Sequence, residues 1–323
     1  MTQQIPGTSF SILGTGAYVP ERIVTNDELS TLVETNDEWI KQRVGISERH
    51  IAANESCADM GAKAALAALE SAGISPDELD LIIGSTISGD YASPSLACLV
   101  EKRIGADCMA FDISAACSGF LFLLDTAAGF FARGKKKVLL VSSEKLSRLV
   151  DWTDRSTCVI FGDGAGAAVL GEGDGYLDSL FHVSGGDDVI RIPNFGGFSP
   201  FSEVSAEKPV IHMEGQETFK YAVSSMTLDV KTLLERNSLS PEDIKFVVPH
   251  QANRRIIESA SKRLGIPYEK FMVNIEKYGN TSSASLPIAL DELRRSGRLE
   301  RGDLCVFAAF GGGLADGACL VRW

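Results

Sequence analysis

Ser75-Pro-Asp-Glu-Leu-Asp-Leu-Ile-Ile-Gly-Ser-Thr86 and, 165 residues later, Ser240-Pro-Glu-Asp-Ile-Lys-Phe-Val-Val-Pro-His-Gln251 follow one plan. Each is a Ser-Pro turn with acidic residues running into an apolar strand. Working outward, Arg133-Gly134 before Val138-Leu-Leu-Val141 matches Arg301-Gly302 before Val306-Phe-Ala-Ala309, and Phe111-Asp-Ile113 before Cys117 matches Val273-Asn-Ile275 before Asn280. Three matches in one order, at nearly constant spacing, predict an internal duplication. Gly171-Glu-Gly-Asp-Gly175 reads as the linker, giving units 1–172 and 173–323. In each unit buried strands alternate with helical patterns, so the expected class is α/β, built from βαβ repeats with right-handed crossovers. Ser56 to Ser71 is one expected helix, with Ala58, Ala62, Ala65, Leu66 and Leu69 along a stripe. Its counterpart is Glu217 to Leu234, with Phe219, Val223, Met226 and Val230.

The chain has 323 residues, 31 basic against 43 acidic, for a net charge of -12. Nucleic-acid binding needs a basic surface to displace counterions, so that class is excluded at the level of the whole chain. An apolar fraction of 45% rules out disorder as the default state. Met1 to Pro20 carries no charge but lacks a basic start and is broken by Pro6, Gly7 and Gly14, so a tail and a first strand are expected rather than a signal peptide. No run reaches the ~20 apolar residues of a membrane helix. Seven cysteines, an odd set without a CxxC pair, indicate neither a disulfide framework nor a zinc site and fit a reducing cytoplasm. Gly185 to Pro209, rich in Gly, Pro and Phe, is the expected loop over a site.

Ligands of open α/β sheets collect beyond the carboxyl ends of the strands. Three reactive residues directly follow expected strands: Cys117 after Met109 to Ile113, His250 after Phe246 to Val248, and Asn280 after Met272 to Ile275. Cys117 also opens an apolar helix, Ser118 to Phe131, where peptide dipoles favour a thiolate. Most cysteines are simply small buried apolar residues, and a lone histidine is more often structural; the strand-end positions weigh against both. Gly162-Asp-Gly-Ala-Gly166 leads into a strand and Gly14-Thr-Gly16 is followed by Pro20, so neither is a dinucleotide fingerprint. Gly311-Gly-Gly313, after the strand Cys305 to Phe310, is either a tight turn or an oxyanion donor.

Asp112-Ile-Ser-Ala-Ala-Cys-Ser-Gly-Phe120, Pro249-His-Gln-Ala-Asn253, Tyr278-Gly-Asn-Thr-Ser-Ser-Ala-Ser285 and Ala309-Phe-Gly-Gly-Gly-Leu314 together resemble β-ketoacyl-acyl carrier protein synthase III. Supporting matches run from Ile12-Leu-Gly-Thr-Gly16 through Asp37-Glu-Trp-Ile40 and Arg43-Val-Gly-Ile-Ser-Glu-Arg-His50 to Val321-Arg322, nearly the whole chain. The resemblance implies a thiolase-like fold in five layers, αβαβα, and a homodimer. It implies an acyl-enzyme on Cys117, His250 and Asn280 on the malonyl thioester oxygen, and an oxyanion hole from the N–H groups of Cys117 and Gly312. Trp39, Arg43 and Arg155 would hold coenzyme A. Ser93, before Pro94, matches a segment that the family contributes to the partner's acyl pocket. One departure is clear: Leu314-Ala315-Asp316 stands where the family commonly has aromatic-Thr-Trp.

The expected reaction is a decarboxylative Claisen condensation of a short acyl-coenzyme A primer with malonyl-acyl carrier protein, with no metal or cofactor. Rival readings are a family member using an unusual primer or malonyl-coenzyme A, a cysteine hydrolase, and a silent scaffold. Arg254, Arg255, Lys262 and Arg263, with only Glu258 among them as an acid, are either a solvated helix face or, aided by Lys220, a dock for the acidic carrier.

Overall fold

The computed structural model describes residues 9–193, 200–201 and 207–323. The start of the expected tail, residues 1–8, and much of the 185–209 loop lie outside the described residues. Nine strands carry the architecture: β1 (Phe10–Tyr18), β2 (Leu81–Ser85), β3 (Met109–Ile113), β4 (Lys137–Glu144), β5 (Gly164–Glu172), β6 (Tyr176–Val183), β7 (Phe246–Pro249), β8 (Leu304–Gly311) and β9 (Ala315–Arg322). The first sheet has the order β1-β5-β4-β2-β3 and the second β6-β9-β8-β7. The first four strands of one order correspond to the four of the other, and β3 has no counterpart. In both, the first two pairs are antiparallel and the next is parallel (β4 with β2, β8 with β7); β3 adds a further parallel pair to β2. Only Gly173 to Gly175 separates β5 from β6.

The main helices are α1 (Cys57–Ala72), α2 (Leu96–Ile104), α3 (Gly119–Phe131), α4 (Gly215–Arg236), α5 (Arg254–Leu264) and α6 (Ser285–Arg295). Side chains alternate across each strand, so each sheet buries both faces. Leu81 and Ile83 of β2 turn inward with Phe120, Leu124, Leu286 and Leu290 of α3 and α6, and across these helices lie Val248, Phe307 and Val321 of the second sheet. Ile82, Leu139 and Val169 turn outward onto α1 and α2. Val247, Val306 and Leu320 turn outward onto α4 and α5. The layers therefore run α1/α2, sheet, α3/α6, sheet, α4/α5. This is the expected αβαβα arrangement.

Local chemistry explains the boundaries. Ser56 and Asp59 form a reciprocal capping box at the start of α1, and Gly73, at φ +66, ends it in the left-handed region. The glycines of Gly14-Thr-Gly16 serve packing: a Cβ on Gly16 would lie 2.3 Å from the Ala68 backbone nitrogen, so β1 reaches α1 only as glycine. Two details of the expected stripes differ. Leu66 is 47% exposed, because α1 buries mainly alanines. Phe219 is only partly buried, packing against the core while also lining a cavity.

The expected strand Met272 to Ile275 is not one. Only Phe271 bridges Val247, and Ile275 opens a short helix, Ile275–Tyr278. The Gln251 side chain explains this: its amide donates to the Met272 carbonyl (3.0 Å) and accepts from the Asn274 N–H (3.1 Å). It takes the place of a neighbouring strand.

Candidate active site

The carboxyl ends of both sheets open on one cavity of about 1050 Å³, lined by Cys117, His250, Asn280, Gly311 and Gly312 among others. Three segments far apart in sequence thus converge where the duplication predicts.

Cys117 sits in a 3-10 turn, Ala116–Ser118, between β3 and α3. Ala116 before it has φ +45, a left-handed geometry that costs an alanine about 1–2 kcal/mol. The turn is held by the Ser118 hydroxyl donating to the Ala315 carbonyl (2.9 Å). A Cβ on Gly311 would fall 2.8 Å from the Cys117 nitrogen, so β8 comes this close only as glycine. Burial pushes the Cys117 thiol up to about 11. Burial thus works against the thiolate expected at a helix terminus.

His250 and Asn280 are buried, and each has one polar atom tied down. The Ser285 hydroxyl lies 2.6 Å from His250 Nδ1 and also accepts the Gln251 N–H (3.3 Å). Nδ1 is thereby engaged and Nε2 is the ring nitrogen left open; a hydroxyl that donates to Nδ1 puts the imidazole proton on Nε2. Burial pushes His250 down to about 3, so the ring is neutral at physiological pH. The Asn280 carbonyl oxygen accepts the Ser282 N–H (2.8 Å), which leaves the amide NH2 as its free end. Asn280 therefore presents a donor, and His250 presents one in the tautomer protonated on Nε2.

Glu144, which the sequence reading passed over, ends β4 completely buried. Its carboxylate accepts from the Ser283 hydroxyl (2.7 Å), the Ser88 hydroxyl (2.5 Å), Thr86 Oγ1 (3.1 Å) and the Ile87 N–H (3.1 Å). It joins the first sheet to the loop bearing Asn280, and burial raises its pKa. A lone acid closing the uncharged run Val138 to Ser143 is its only sequence signal. Ser285 stood inside a quoted motif without a role. Asp112 also reaches the cavity, but both its oxygens accept N–H groups of α2, from Leu96 (2.6 Å) and Ala97 (2.8 Å), as a cap.

Trp39, Arg43 and Arg155 come together, and Trp39 and Arg43 line the cavity. The Arg155 and Arg43 guanidinium carbons lie 4.9 and 5.9 Å from the Trp39 ring centroid. The basic residues of the second half are less uniform. Lys220 pairs with Glu217 (2.7 Å) and Arg254 with Glu258 (3.5 Å). Arg255 is exposed and covers the Phe219 ring at 5.5 Å, beside the cavity; Lys262 and Arg263 are exposed in the last turn of α5. Ser93 is exposed on the loop before α2. All seven cysteines are free. No helix among the described residues is long and apolar enough to cross a membrane.

Models of the 3-oxoacyl-[acyl-carrier-protein] synthase III family match residues 111–187 and, for its C-terminal part, 234–323. A Clostridium acetobutylicum protein called beta-ketoacyl-[acyl-carrier-protein] synthase III is 48% identical, over 98% of this chain and 99% of its own. The crystal structure of 3-oxoacyl-[acyl-carrier-protein] synthase III from Aquifex aeolicus superposes with a TM-score of 0.91 at 45% identity, over 98% of this chain and 100% of that one. The priming β-ketosynthase of the R1128 polyketide pathway reaches a TM-score of 0.90 at 36% identity, over 100% of this chain and 98% of that one. With this identity over nearly the full length, and a thiolase-like fold to match, the chain belongs to the β-ketoacyl-[acyl-carrier-protein] synthase III family of condensing acyltransferases.

Proposed function

We propose that Cys117 carries the acyl group in a decarboxylative condensation that initiates fatty-acid synthesis, with His250 and Asn280 as paired donors to the malonyl thioester oxygen. The observation that carries this reading is the pinning of His250 Nδ1 and the Asn280 carbonyl, which leaves His250 Nε2 and the Asn280 amide NH2 open in the cavity of Cys117. In the first half-reaction the Cys117 sulfur attacks the acyl-coenzyme A carbonyl. The carbon–sulfur bond to coenzyme A breaks, and the thiol proton ends on the departing coenzyme A thiol. The N–H groups of Cys117 and Gly312 hold the oxyanion. In the second, the malonyl carboxylate leaves as carbon dioxide and its electron pair forms an enolate, whose oxygen the two donors stabilise. The enolate carbon attacks the acyl-cysteine, and the expelled thiolate takes up a proton. Neutral donors suit this step, because a protonated imidazole would quench the carbanion.

Trp39, Arg43 and Arg155 provide a ring flanked by two cations, suited to the adenine and phosphates of coenzyme A. Arg255, Lys262 and Arg263, with Lys220 and Arg254 as partly neutralised neighbours, are the proposed carrier-protein dock. Residues 1–172 and 173–323 are taken as the duplicated units, and the cytoplasm as the compartment, consistent with seven free thiols. A homodimer is supported by β3, the edge strand of the first sheet, whose Met109 is 50% exposed and whose other residues are only partly buried. Intact-mass analysis with a panel of acyl-coenzyme A thioesters tests the reading. One acyl increment on Cys117 is expected, and an unmodified chain with every thioester contradicts it.

A further inference from the structure

The Leu314-Ala315-Asp316 stretch places an acidic side chain inside the outer layer of the second sheet. Asp316 on β9 stands directly opposite His182 on β6. On that face their neighbours Leu180 and Ala318 pack against Val223, Met226 and Val230 of α4, where apolar side chains are the rule. Asp229 of α4 points into the same place, with Tyr221 two turns earlier on the helix. Asp229 is 0% exposed and Asp316 is 5% exposed. His182 Nδ1 lies 3.2 Å from Asp229 Oδ1 and 3.3 Å from Asp316 Oδ2. The Tyr221 hydroxyl donates to the other oxygen of Asp316.

This arrangement leaves a polar deficit. One imidazole nitrogen faces two buried carboxylates, and no lysine or arginine among the described residues pairs with either. Both oxygens of Asp229 lack a hydrogen-bond partner. An unpaired buried carboxylate is costly to hold in a fold. A cation between the three groups removes the deficit. The three ligand atoms lie within 4.8 Å of one another. An ion holding nitrogen and oxygen ligands at about 2.1 Å separates neighbouring ligand atoms by about 3.0 Å in octahedral and about 3.4 Å in tetrahedral geometry. The two distances from His182 fall inside that interval.

We propose that His182, Asp229 and Asp316 form a binding site for one divalent metal ion of the manganese-to-zinc series, with Tyr221 orienting Asp316. One imidazole and two carboxylates favour these ions over calcium and magnesium, which prefer all-oxygen sites. His182 has an exposed side chain and gives the ion a route from solvent. The site ties β6, β9 and α4 together on the far side of the sheet from α3. It is also one step from the cavity, since Asp316 pairs across the ladder with Phe310, whose ring meets His250 edge-on at 5.3 Å. The proposal is independent of the reaction assigned to Cys117.

Co2+ titration of chelator-treated protein, followed by visible absorption and by melting temperature, tests it. The expected result is one equivalent per chain, d–d bands without a thiolate charge-transfer band, and a metal-dependent rise in melting temperature. His182→Ala and Asp229→Asn should each weaken binding at least about 10-fold, the loss of one ligand. His182→Ala changes a surface side chain and keeps the test valid should Asp229→Asn fail to fold. Absence of saturable binding, a thiolate band marking an ion on cysteine, or an affinity unchanged by His182→Ala would each overturn the proposal. So would a wild type indifferent to metal alongside an Asp229→Asn variant that melts higher, since the carboxylates would then share only a proton.

Discussion

The turn after β3 and the turn after Phe271 occupy corresponding places in the two sheets, yet they differ in what they expose. The first keeps a full strand, then bends sharply through Ala116 so that Cys117 meets the cavity. The second has lost its strand to the Gln251 side chain, and its longer path delivers Asn280 with one end already bonded. One region supplies a sulfur at the cavity, the other a side chain with one end already bonded. A duplicated scaffold can thus separate a nucleophile from the groups that stabilise charge, with each tuned by its own neighbours.

That contrast can be broken most directly at the nucleophile. Cys117→Ala should abolish the acyl mass increment altogether while leaving malonyl-carrier decarboxylation measurable; an increment that survives would mean another cysteine is acylated. His250→Ala and Asn280→Ala should each slow carbon dioxide release by roughly 100- to 1000-fold, the usual loss for one oxyanion donor. Rapid-quench acylation should stay substantial in both. An acylation-dead, decarboxylation-competent His250→Ala would reverse the division of labour.

Glu144 links the two regions, and Glu144→Ala strands the Ser88, Thr86 and Ser283 hydroxyls and the Ile87 N–H. A stability loss on the order of 3 kcal/mol is expected by denaturant unfolding. A change below about 0.5 kcal/mol would show that the link carries no strain of separation.

The pH dependence sharpens the comparison further. With the thiol near 11, the thiolate fraction grows about tenfold per pH unit below that value. Acylation should therefore rise with pH between about 6 and 9. With His250 near 3, the imidazole is already neutral throughout this range, so decarboxylation by Cys117→Ala should be flat. Acylation that is flat from about pH 5 upward would indicate a thiolate–imidazolium pair instead. The smallest effect is expected at the surface: Arg255→Glu should raise KM for malonyl-carrier protein about 3- to 5-fold at low salt, and less at high salt, with acylation from coenzyme A unchanged. Equal loss in both half-reactions would remove the dedicated dock.

Much of the molecule was legible in its residue order. The paired Ser-Pro-acidic-apolar stretches announced two matching sheets, and apolar runs such as Leu81 to Ile83 announced strands buried on both faces, because periodicity and turn chemistry are local. Cys117, His250 and Asn280 could be singled out because each follows a strand end, which is also a local signal. Tertiary structure alone decided the rest. The missing strand near Met272 depends on a side chain 21 residues away. The upward shift of the Cys117 thiol depends on how much water its neighbours exclude, which is set only once the layers close. Glu144, Ser285 and the His182–Asp229–Asp316 cluster follow no spacing rule, since their partners arrive from different elements. Hydrogen bonding and desolvation act over a few ångströms of space, whatever the distance along the chain.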